Sequence, residues 1–229
     1  MPKGPGGVIF CTAPMNRLAL REPAIRRAIT FIDGQNLFHC AQECFDYHYP
    51  NYDVLGLSRA VCEANGWALA EARFYTGIPD NIDDPFWNAF WTKKLLAISR
   101  QGVGKFSRAL RYRDRVIDIG DGVTITKRLG EEKGIDVRIA VDVVRLAHRN
   151  AYDVAVIFSQ DQDLSEAAKE IRQISYEQQR WIKVVSAFPW RLGAPNERGI
   201  EGTDWFQISR ALYDQCIDAF DYRPPRRTR

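Results

Sequence analysis

The residues of this chain that could do chemistry are aspartates at the ends of apolar runs. The stretch VIFSQDQDL, residues 156–164, begins as a buried strand and ends with Asp161 and Asp163. Asp33 ends an earlier run of this kind, AITFID. If both runs are strands of a parallel sheet, their carboxyl ends lie at one edge, where the sites of open α/β sheets form. The three carboxylates are therefore candidates for one shared site.

Two more aspartates lie in the stretch KGIDVRIAVD. Asp136 starts a predicted helix after Gly134, and Asp142 lies further along it, where it can face the same pocket. Each aspartate alone is typical of a helix cap or a turn. Several together need a counter-ion, because carboxylates about 5 Å apart repel by roughly 3 kcal/mol per pair. All-oxygen ligation suits Mg²⁺ or Mn²⁺, which would favour metal-assisted hydrolysis of phosphodiesters.

The elements that must position these residues alternate along the chain. Strands are predicted at residues 28–33, 68–79, 153–159 and 182–188. Stretches with helical apolar spacing lie between them, and residues 204–220 are predicted to be wholly or partly helical. This alternation predicts an α/β fold of three layers, with a central, mainly parallel sheet and helices on both faces.

Basic residues are concentrated in three segments, although the net charge is only +3. Residues 1–25 are predicted to be a flexible basic arm and residues 221–229 a basic tail, on either side of one domain at 26–220. The third segment lies in a hairpin insertion predicted at about 104–128, with its turn at 120–122. On a strand, Arg111, Arg113 and Arg115 share one face, which together with Arg108 would suit a polyanion.

Several classes of protein are disfavoured by the composition. No apolar run approaches the roughly 18–20 residues of a membrane helix, so no membrane association is expected and a cytoplasmic protein is the default. The five cysteines are odd in number and lack a CxxC, which argues against a disulfide framework. The sequence has neither the GxSxG of a serine hydrolase nor the spacing of a P-loop.

Three stretches together resemble the signatures of one family. FIDGQN (31–36), KGIDVRIAVD (133–142) and FSQDQDL (158–164) are similar, in order and spacing, to the NYN domain in its LabA-like bacterial branch, within the PIN-like ribonuclease group. The resemblance runs from about residue 28 to 188. It implies a PIN-like, Rossmann-like fold with a metal-dependent acidic pocket that acts on RNA.

The resemblance also implies roles for the residues that match its motifs. The implied catalytic set is Asp33, Asn36, Asp136, Asp142, Asp161 and Asp163. The implied ligands of Mg²⁺ or Mn²⁺ are Asp33, Asp142, Asp161 and Asp163, while Asn36 orients the water or the phosphate. Ser159 is implied to shape the turn, and Lys133 either contacts a phosphate or is only a cap or solvated. Gln160 and Gln162 stand where many members have glycine, which leaves the shape of this turn open.

The expected function is therefore a metal-dependent ribonuclease acting on single-stranded or structured RNA, with Arg108, Arg111, Arg113 and Arg115 along the RNA backbone. Two alternatives stay open: a non-catalytic RNA-binding or regulatory module of the same fold, and a metal-dependent phosphatase acting on small nucleotides. The intact acidic set favours the nuclease over the non-catalytic module. The phosphatase would not need the arginine-rich stretch. The RNA, the metal and association with a second copy of the chain also stay open.

Overall fold

A computed structural model of the protein describes residues 20–118, 120 and 124–225. Its strands are β1 (Arg27–Asp33), β2 (Ala68–Ile78), β3 (Gly104–Ala109), β4 (Arg111–Asp118), β5 (Thr124–Glu131), β6 (Val154–Phe158), β7 (Lys183–Pro189) and β8 (Asp204–Ile208). Its helices are α1 (Gly34–Phe45), α2 (Val54–Ala64), α3 (Pro85–Arg100), α4 (Ile135–His148), α5 (Ser165–Glu177) and α6 (Arg210–Asp214), with a 3₁₀ turn at Gln162–Leu164. Most of the predicted N-terminal arm, residues 121–122 of the predicted turn and the end of the C-terminal tail lie outside the described residues.

The central sheet has six strands in the order β3-β2-β1-β6-β7-β8. Every neighbouring pair in it is parallel. The chain adds β2 and β3 on one side of β1 and then returns to add β6, β7 and β8 on the other. This reversal places a topological switch point between β1 and β6, and a crevice forms there outside the carboxyl ends of the strands.

Helices cover both faces of this sheet, which confirms the predicted three-layer α/β architecture. Along β1, Ala28 and Ile32 pack into the apolar core beneath α1, α2 and α3. Ile29 and Phe31 face the second core, beneath α4 and α5. Because successive side chains of a strand point to opposite faces, a strand covered on both sides must be apolar throughout. The continuous apolar runs of β1 and β6 have this origin.

The turn from β1 into α1 is tight because it lies under β2. A Cβ atom on Gly34 would lie 2.5 Å from the Phe74 ring and 3.0 Å from the carbonyl oxygen of Tyr75. The Gly34 carbonyl also accepts a hydrogen bond of 3.1 Å from the buried Tyr52 hydroxyl. The strand therefore ends at Asp33 and the helix starts at once, so the Asp33 side chain stands at the edge of the sheet.

Two sequence predictions about these elements are corrected by the fold. Arg108 lies on β3, at the edge of the main sheet, whereas β4 and β5 form a separate antiparallel hairpin. Residues 204–208, predicted within a helical stretch, form the edge strand β8, which pairs with β7. The short run DWFQI fits a strand as well as a helix, and the backbone partners offered by β7 decide between them. The helix starts only after Ser209, whose side chain caps it.

Membrane insertion of a helix is not indicated by the fold. In the part of the chain that is described, every helix is too short or too polar to cross a bilayer.

Candidate active site

A pocket of about 370 Å³ opens at the carboxyl edge of the sheet, at the switch point between β1 and β6. Its lining residues are Asp33, Gln35, Asn36, His39, Glu132, Lys133, Gly134, Ile135, Asp136 and Asp161. Four of them are carboxylic acids, and they come from the end of β1, the segment after β5, the start of α4 and the turn after β6. The fold therefore gathers acids that are far apart in the sequence into one cavity.

Asp33 is the most buried acid of the pocket. Its side chain is only 6% exposed, and it caps α1 by accepting a hydrogen bond of 3.0 Å from the Asn36 backbone N–H. Burial raises the pKa of the Asp33 carboxyl to about 6, and the negative charges of Asp161 and Asp136 act in the same direction. The hydrogen bonds from the start of α1 oppose this rise but do not cancel it. The Asp33 carboxylate therefore lacks a full compensating charge.

Asn36 joins the two strand ends that flank the switch point. Its side-chain Oδ1 accepts a hydrogen bond of 3.0 Å from the Gln160 backbone N–H. In the same turn, Ser159 Oγ accepts a hydrogen bond of 3.1 Å from the Asp161 backbone N–H. Buried Ser186 on β7 donates to the Ser159 carbonyl at 2.7 Å. These bonds fix the turn that carries Asp161 beside the end of β1.

Gln160 and Gln162 fasten a distant loop to this turn. Gln160 Nε2 donates to the carbonyl oxygens of Asn196 and Arg198, at 3.2 and 2.8 Å. Gln162 Nε2 donates to the Gly199 carbonyl at 3.1 Å. The turn therefore needs no glycine flexibility, since the two amides fix it against residues 196–199.

Glu132 is a pocket residue that sequence reasoning missed. It follows β5, and its Oε2 accepts a hydrogen bond of 2.6 Å from the Gly77 backbone N–H at the end of β2. A Cβ atom on Gly77 would lie 2.6 Å from that oxygen, so only glycine leaves room for it. Burial raises the pKa of the Glu132 carboxyl to about 7, and the charges of Asp33 and Asp136 add to the effect. The sequence signal that could have identified Glu132 as a pocket residue was its position directly before the KGID motif.

The start of α4 forms the opposite rim of the pocket. Gly134 precedes the helix with φ of 78°, a conformation that favours glycine, and Asp136 lies in the first turn. Lys133 is exposed and lines the pocket beside it. Arg108 reaches this rim from β3, because its guanidinium lies 2.8 Å from where a Cβ atom of Gly134 would be. Positive charge and a helix N-terminus therefore face the acids.

Asp142 lies outside this pocket, so its role as a metal ligand stays a prediction from the sequence. It is 2% exposed and does not line the pocket. Its Oδ2 accepts hydrogen bonds of 3.0 Å from both the Tyr75 hydroxyl and Arg138 Nε, and of 3.5 Å from Arg73. Arg145 lies 3.2 Å from its other oxygen. Six residues along a helix from Asp136, its side chain faces a different direction, where arginines and a tyrosine already neutralise it.

Asp163 also lies outside the pocket. It is exposed on the 3₁₀ turn, and its backbone N–H donates to Asp161 Oδ1 at 3.0 Å. Its backbone therefore helps to orient Asp161, while its carboxylate faces solvent. The role of Asp163 as a metal ligand likewise stays a prediction from the sequence.

Arg111, Arg113 and Arg115 share one exposed face of β4, as their spacing predicts. None of the three lines the pocket. Arg115 forms an ion pair with Glu131, and Arg113 lies 4.0 Å from the same carboxylate. The hairpin is held to the loop after β2 by the Asp80 N–H, which donates to the Tyr112 hydroxyl at 3.0 Å. These three residues, which we call the arginine face, are therefore exposed and lie outside the pocket.

The pocket offers hard oxygen donors of the type that Mg²⁺ and Mn²⁺ prefer. Buried acids with raised pKa values indicate negative charge that a cation would offset. Among the described residues, however, no three side chains of His, Cys, Asp or Glu are close enough together to hold an ion as they stand. The donor set fits such a cation by its chemistry and by its placement in one pocket.

The fold and site define a doubly wound α/β protein with an acidic pocket at its switch point. A family model described as the NYN domain matches residues 27–187, and the chain belongs to this family, a PIN-like nuclease family. A crystal structure of a protein of unknown function from Vibrio parahaemolyticus is similar at a TM-score of 0.50 and 20% identity, covering 86% of this chain and 99% of that one. This identity shows the fold alone. No curated protein matches the chain.

Replacing Asp33 by Asn should stabilise the protein when no divalent cation is present. The folded-state pKa of about 6 lies above the ordinary 3.8, so ionisation of Asp33 costs folding free energy as the pH rises through this window. At pH 8 in chelator we expect the variant to be more stable by up to about 3 kcal/mol. The difference should shrink as the pH falls from 6 to 4. Urea denaturation across this pH range measures it.

A purely capping role for Asp33 predicts a different outcome. Asn caps a helix about as well as Asp, so the variant would then equal the parent or fall below it at every pH. That result would remove Asp33 from the set of uncompensated acids.

Replacing Asp142 by Asn should have the opposite effect. The change removes the charge that holds the Tyr75 hydroxyl and the three arginines, and we expect a loss of about 2 kcal/mol at pH 8, since the arginines remain partly hydrated. Any stabilisation by added Mg²⁺ should be retained. Thermal melts with chelator and with Mg²⁺ test both points, and a variant of parental stability that no longer responds to Mg²⁺ would return Asp142 to the metal site.

Proposed function

We propose that the protein is a metal-dependent ribonuclease that hydrolyses phosphodiester bonds of single-stranded or structured RNA. The observation that carries the proposal is the group of four acids, Asp33, Glu132, Asp136 and Asp161, lining one pocket at the switch point of the sheet. Membership of a PIN-like nuclease family supports the reaction class. The choice of RNA rests on the basic residues around the pocket.

In this proposal the four pocket acids hold Mg²⁺ or Mn²⁺. Such an ion, when bound, lowers the pKa of coordinated water and neutralises charge on the phosphate. Relative to the set expected from the sequence, Glu132 replaces Asp142 and Asp163. The proposal thus keeps the expected chemistry but changes the residues that perform it.

The chain's own groups would bind and orient the scissile phosphate. The N-terminus of α4 and the side chain of Lys133 present positive charge at the rim, which suits a phosphate. The Asn36 Oδ1 is engaged by Gln160, so the group left to contact water or phosphate is its Nδ2 amide. Asp33 and Asp161 lie on the other side of the pocket, so a phosphate held at the rim faces both acids.

The arginines would bind the RNA backbone beyond the pocket. Arg108 and Arg138 flank the Phe106 ring, with guanidinium carbons 5.5 and 4.9 Å from its centre, which keeps both near the rim. Arg111, Arg113 and Arg115 extend the basic surface along the hairpin. A LabA-like relationship, a cytoplasmic location and association with a second copy stay predictions.

Cleavage should depend on the pocket acids. Asp33→Asn and Glu132→Gln should each lower hydrolysis of labelled single-stranded RNA by orders of magnitude, because each removes a charged ligand of the activating ion. Chelator should abolish the reaction, and added Mg²⁺ or Mn²⁺ should restore it. The products should carry a 5′-phosphate and a 3′-hydroxyl, since water is the nucleophile.

A matched control is Asp204→Asn, which changes an exposed acid paired with Lys183 on the edge strand and should leave cleavage unchanged. Asp163→Asn should also retain activity, in line with its position outside the pocket. Products ending in a 2′,3′-cyclic phosphate would contradict the mechanism, because the RNA's own hydroxyl would then be the nucleophile. RNA binding without cleavage would favour the non-catalytic module, and hydrolysis of mononucleotides alone the phosphatase.

The salt dependence of RNA binding should report the arginine face. Replacing Arg111, Arg113 and Arg115 by Ala should lower the slope of log Kd against log salt by up to about 2, because fewer counterions are released. Arg108→Ala, tested separately because it lies on another strand, should lower it by about 0.7. Binding of an uncleaved RNA in chelator at several salt concentrations gives both values.

The control for this experiment removes equal charge elsewhere. The exposed arginines Arg59, Arg100 and Arg149 lie on or after α2, α3 and α4, away from the pocket lining. Their triple alanine variant should keep the parental slope. Equal slopes for the hairpin variant and the parent would place the RNA path on another surface.

A further inference from the structure

A second cavity adjoins the acidic pocket and is built mainly from aromatic and proline side chains. It has a volume of about 320 Å³, and its lining residues are Gln35, Phe38, Gln42, His48, Pro50, Pro79, Trp87 and Trp91. We call this set the aromatic groove. Gln35 lines both the groove and the acidic pocket, so the two cavities are neighbours on either side of this residue.

Two helices supply most of the aromatic groove through their regular spacing. Gln35, Phe38 and Gln42 stand at i, i+3 and i+7 on α1, so they share one face of that helix. Trp87 and Trp91 stand at i and i+4 on α3 and face them. Because α1 begins directly after Asp33, the first groove residue, Gln35, lies only two positions from the most buried acid of the pocket.

The tryptophans of the groove differ in burial. Trp91 is 2% exposed and belongs to the core, where it forms the floor. Trp87 is half-buried and held edge-to-face by Phe86 and Phe90, with ring centres 5.4 and 5.2 Å away. The Trp87 ring is therefore held in place beside an open cavity. Packing of the core alone does not require such a cavity.

We propose that the aromatic groove binds one unpaired nucleobase of the RNA next to the phosphate held in the acidic pocket. This inference rests on the proposed function and names its substrate as RNA that is single-stranded at the cleavage site. A flat base can stack on Trp87 or Phe38, since every base offers a π-face. The side-chain amides of Gln35 and Gln42 carry both donors and acceptors, which suits the polar edge of a base.

The groove would also disfavour RNA that is paired at the cleavage site. A base inside a duplex is stacked and covered by its partner, so it cannot enter a narrow cavity between two helices without being unpaired first. Recognition of RNA through splayed, unstacked bases is the common mode for single-stranded segments. The groove would thereby fix the register of the chain, so that the adjoining phosphate lies at the acids.

Abasic RNA tests the proposal without altering the protein. Single-stranded oligomers that lack one base, at successive positions around the scissile bond, are compared by kcat/KM with Mg²⁺. Loss of the base at one position should lower kcat/KM about tenfold, within the range measured for one base–aromatic stack. Equal cleavage at every abasic position would overturn the proposal.

Variants assign this effect to the groove. Trp87→Ala should lower kcat/KM on intact RNA about tenfold and show no further loss on the sensitive abasic oligomer, because the stacking partner is already gone. Trp87→Phe should retain most of the parental behaviour. The matched control is Trp181→Ala, which removes another half-buried tryptophan just before β7, outside the groove lining, and should keep the parental abasic sensitivity. Abasic sensitivity unchanged in Trp87→Ala would place the base elsewhere.

A binding measurement separates the groove from the nuclease proposal. If the protein does not cleave RNA, anisotropy of the same labelled oligomers in chelator still reports the groove. A Kd raised about tenfold at one abasic position, and insensitive to that position in Trp87→Ala, would support the groove while the nuclease proposal fails. A Kd that is the same for all oligomers would overturn the groove even in an active nuclease. No binding of RNA at all would overturn both.

Discussion

The constraint that sets the chemistry of this protein is the gathering of several carboxyl groups at one edge of the sheet. Burial places Asp33 and Glu132 where water cannot fully solvate them, and their pKa values are raised in consequence. Neighbouring acids add to this effect, since like charges share the same pocket. The starts of α1 and α4 offset part of the negative charge but leave the rest for a cation to offset.

Other buried acids of the same chain serve stability, and these are paired with basic groups. Asp142 is as buried as Asp33, but it meets the Tyr75 hydroxyl and the guanidinium groups of Arg73, Arg138 and Arg145. Asp153 is likewise paired, with Arg27 and Arg180, and its pKa is lowered. The contrast between neutralised and unneutralised buried acids separates structural carboxylates from those of the pocket more clearly than their positions in the sequence do.

Two additions to the central sheet modify its carboxyl edge, where the pocket lies. The β4–β5 hairpin carries the arginine face and ends directly before Glu132, so it delivers one pocket acid while exposing basic residues. On the other side, Gln160 and Gln162 fasten residues 196–199 to the turn that carries Asp161. Both additions act at the carboxyl ends of the central strands, where the pocket lies. They also bring its rim into contact with segments that the family motifs do not cover.

Much of the site was determined by local sequence patterns. Three of the pocket acids lie at the end of an apolar strand or at the start of a helix: Asp33, Asp136 and Asp161. Parallel strands bring such positions to one edge of the sheet. The three-layer fold followed from the alternation of strands and helices for the same reason. Only the tertiary structure shows that Glu132 lines the pocket and that Asp142 lies outside it. The direction of a side chain depends on what packs against it, and the deciding contacts join residues 67 and 55 positions apart, Tyr75 with Asp142 and Gly77 with Glu132. Local periodicity contains no information about such partners, so the full set of pocket acids could be identified only in the folded chain.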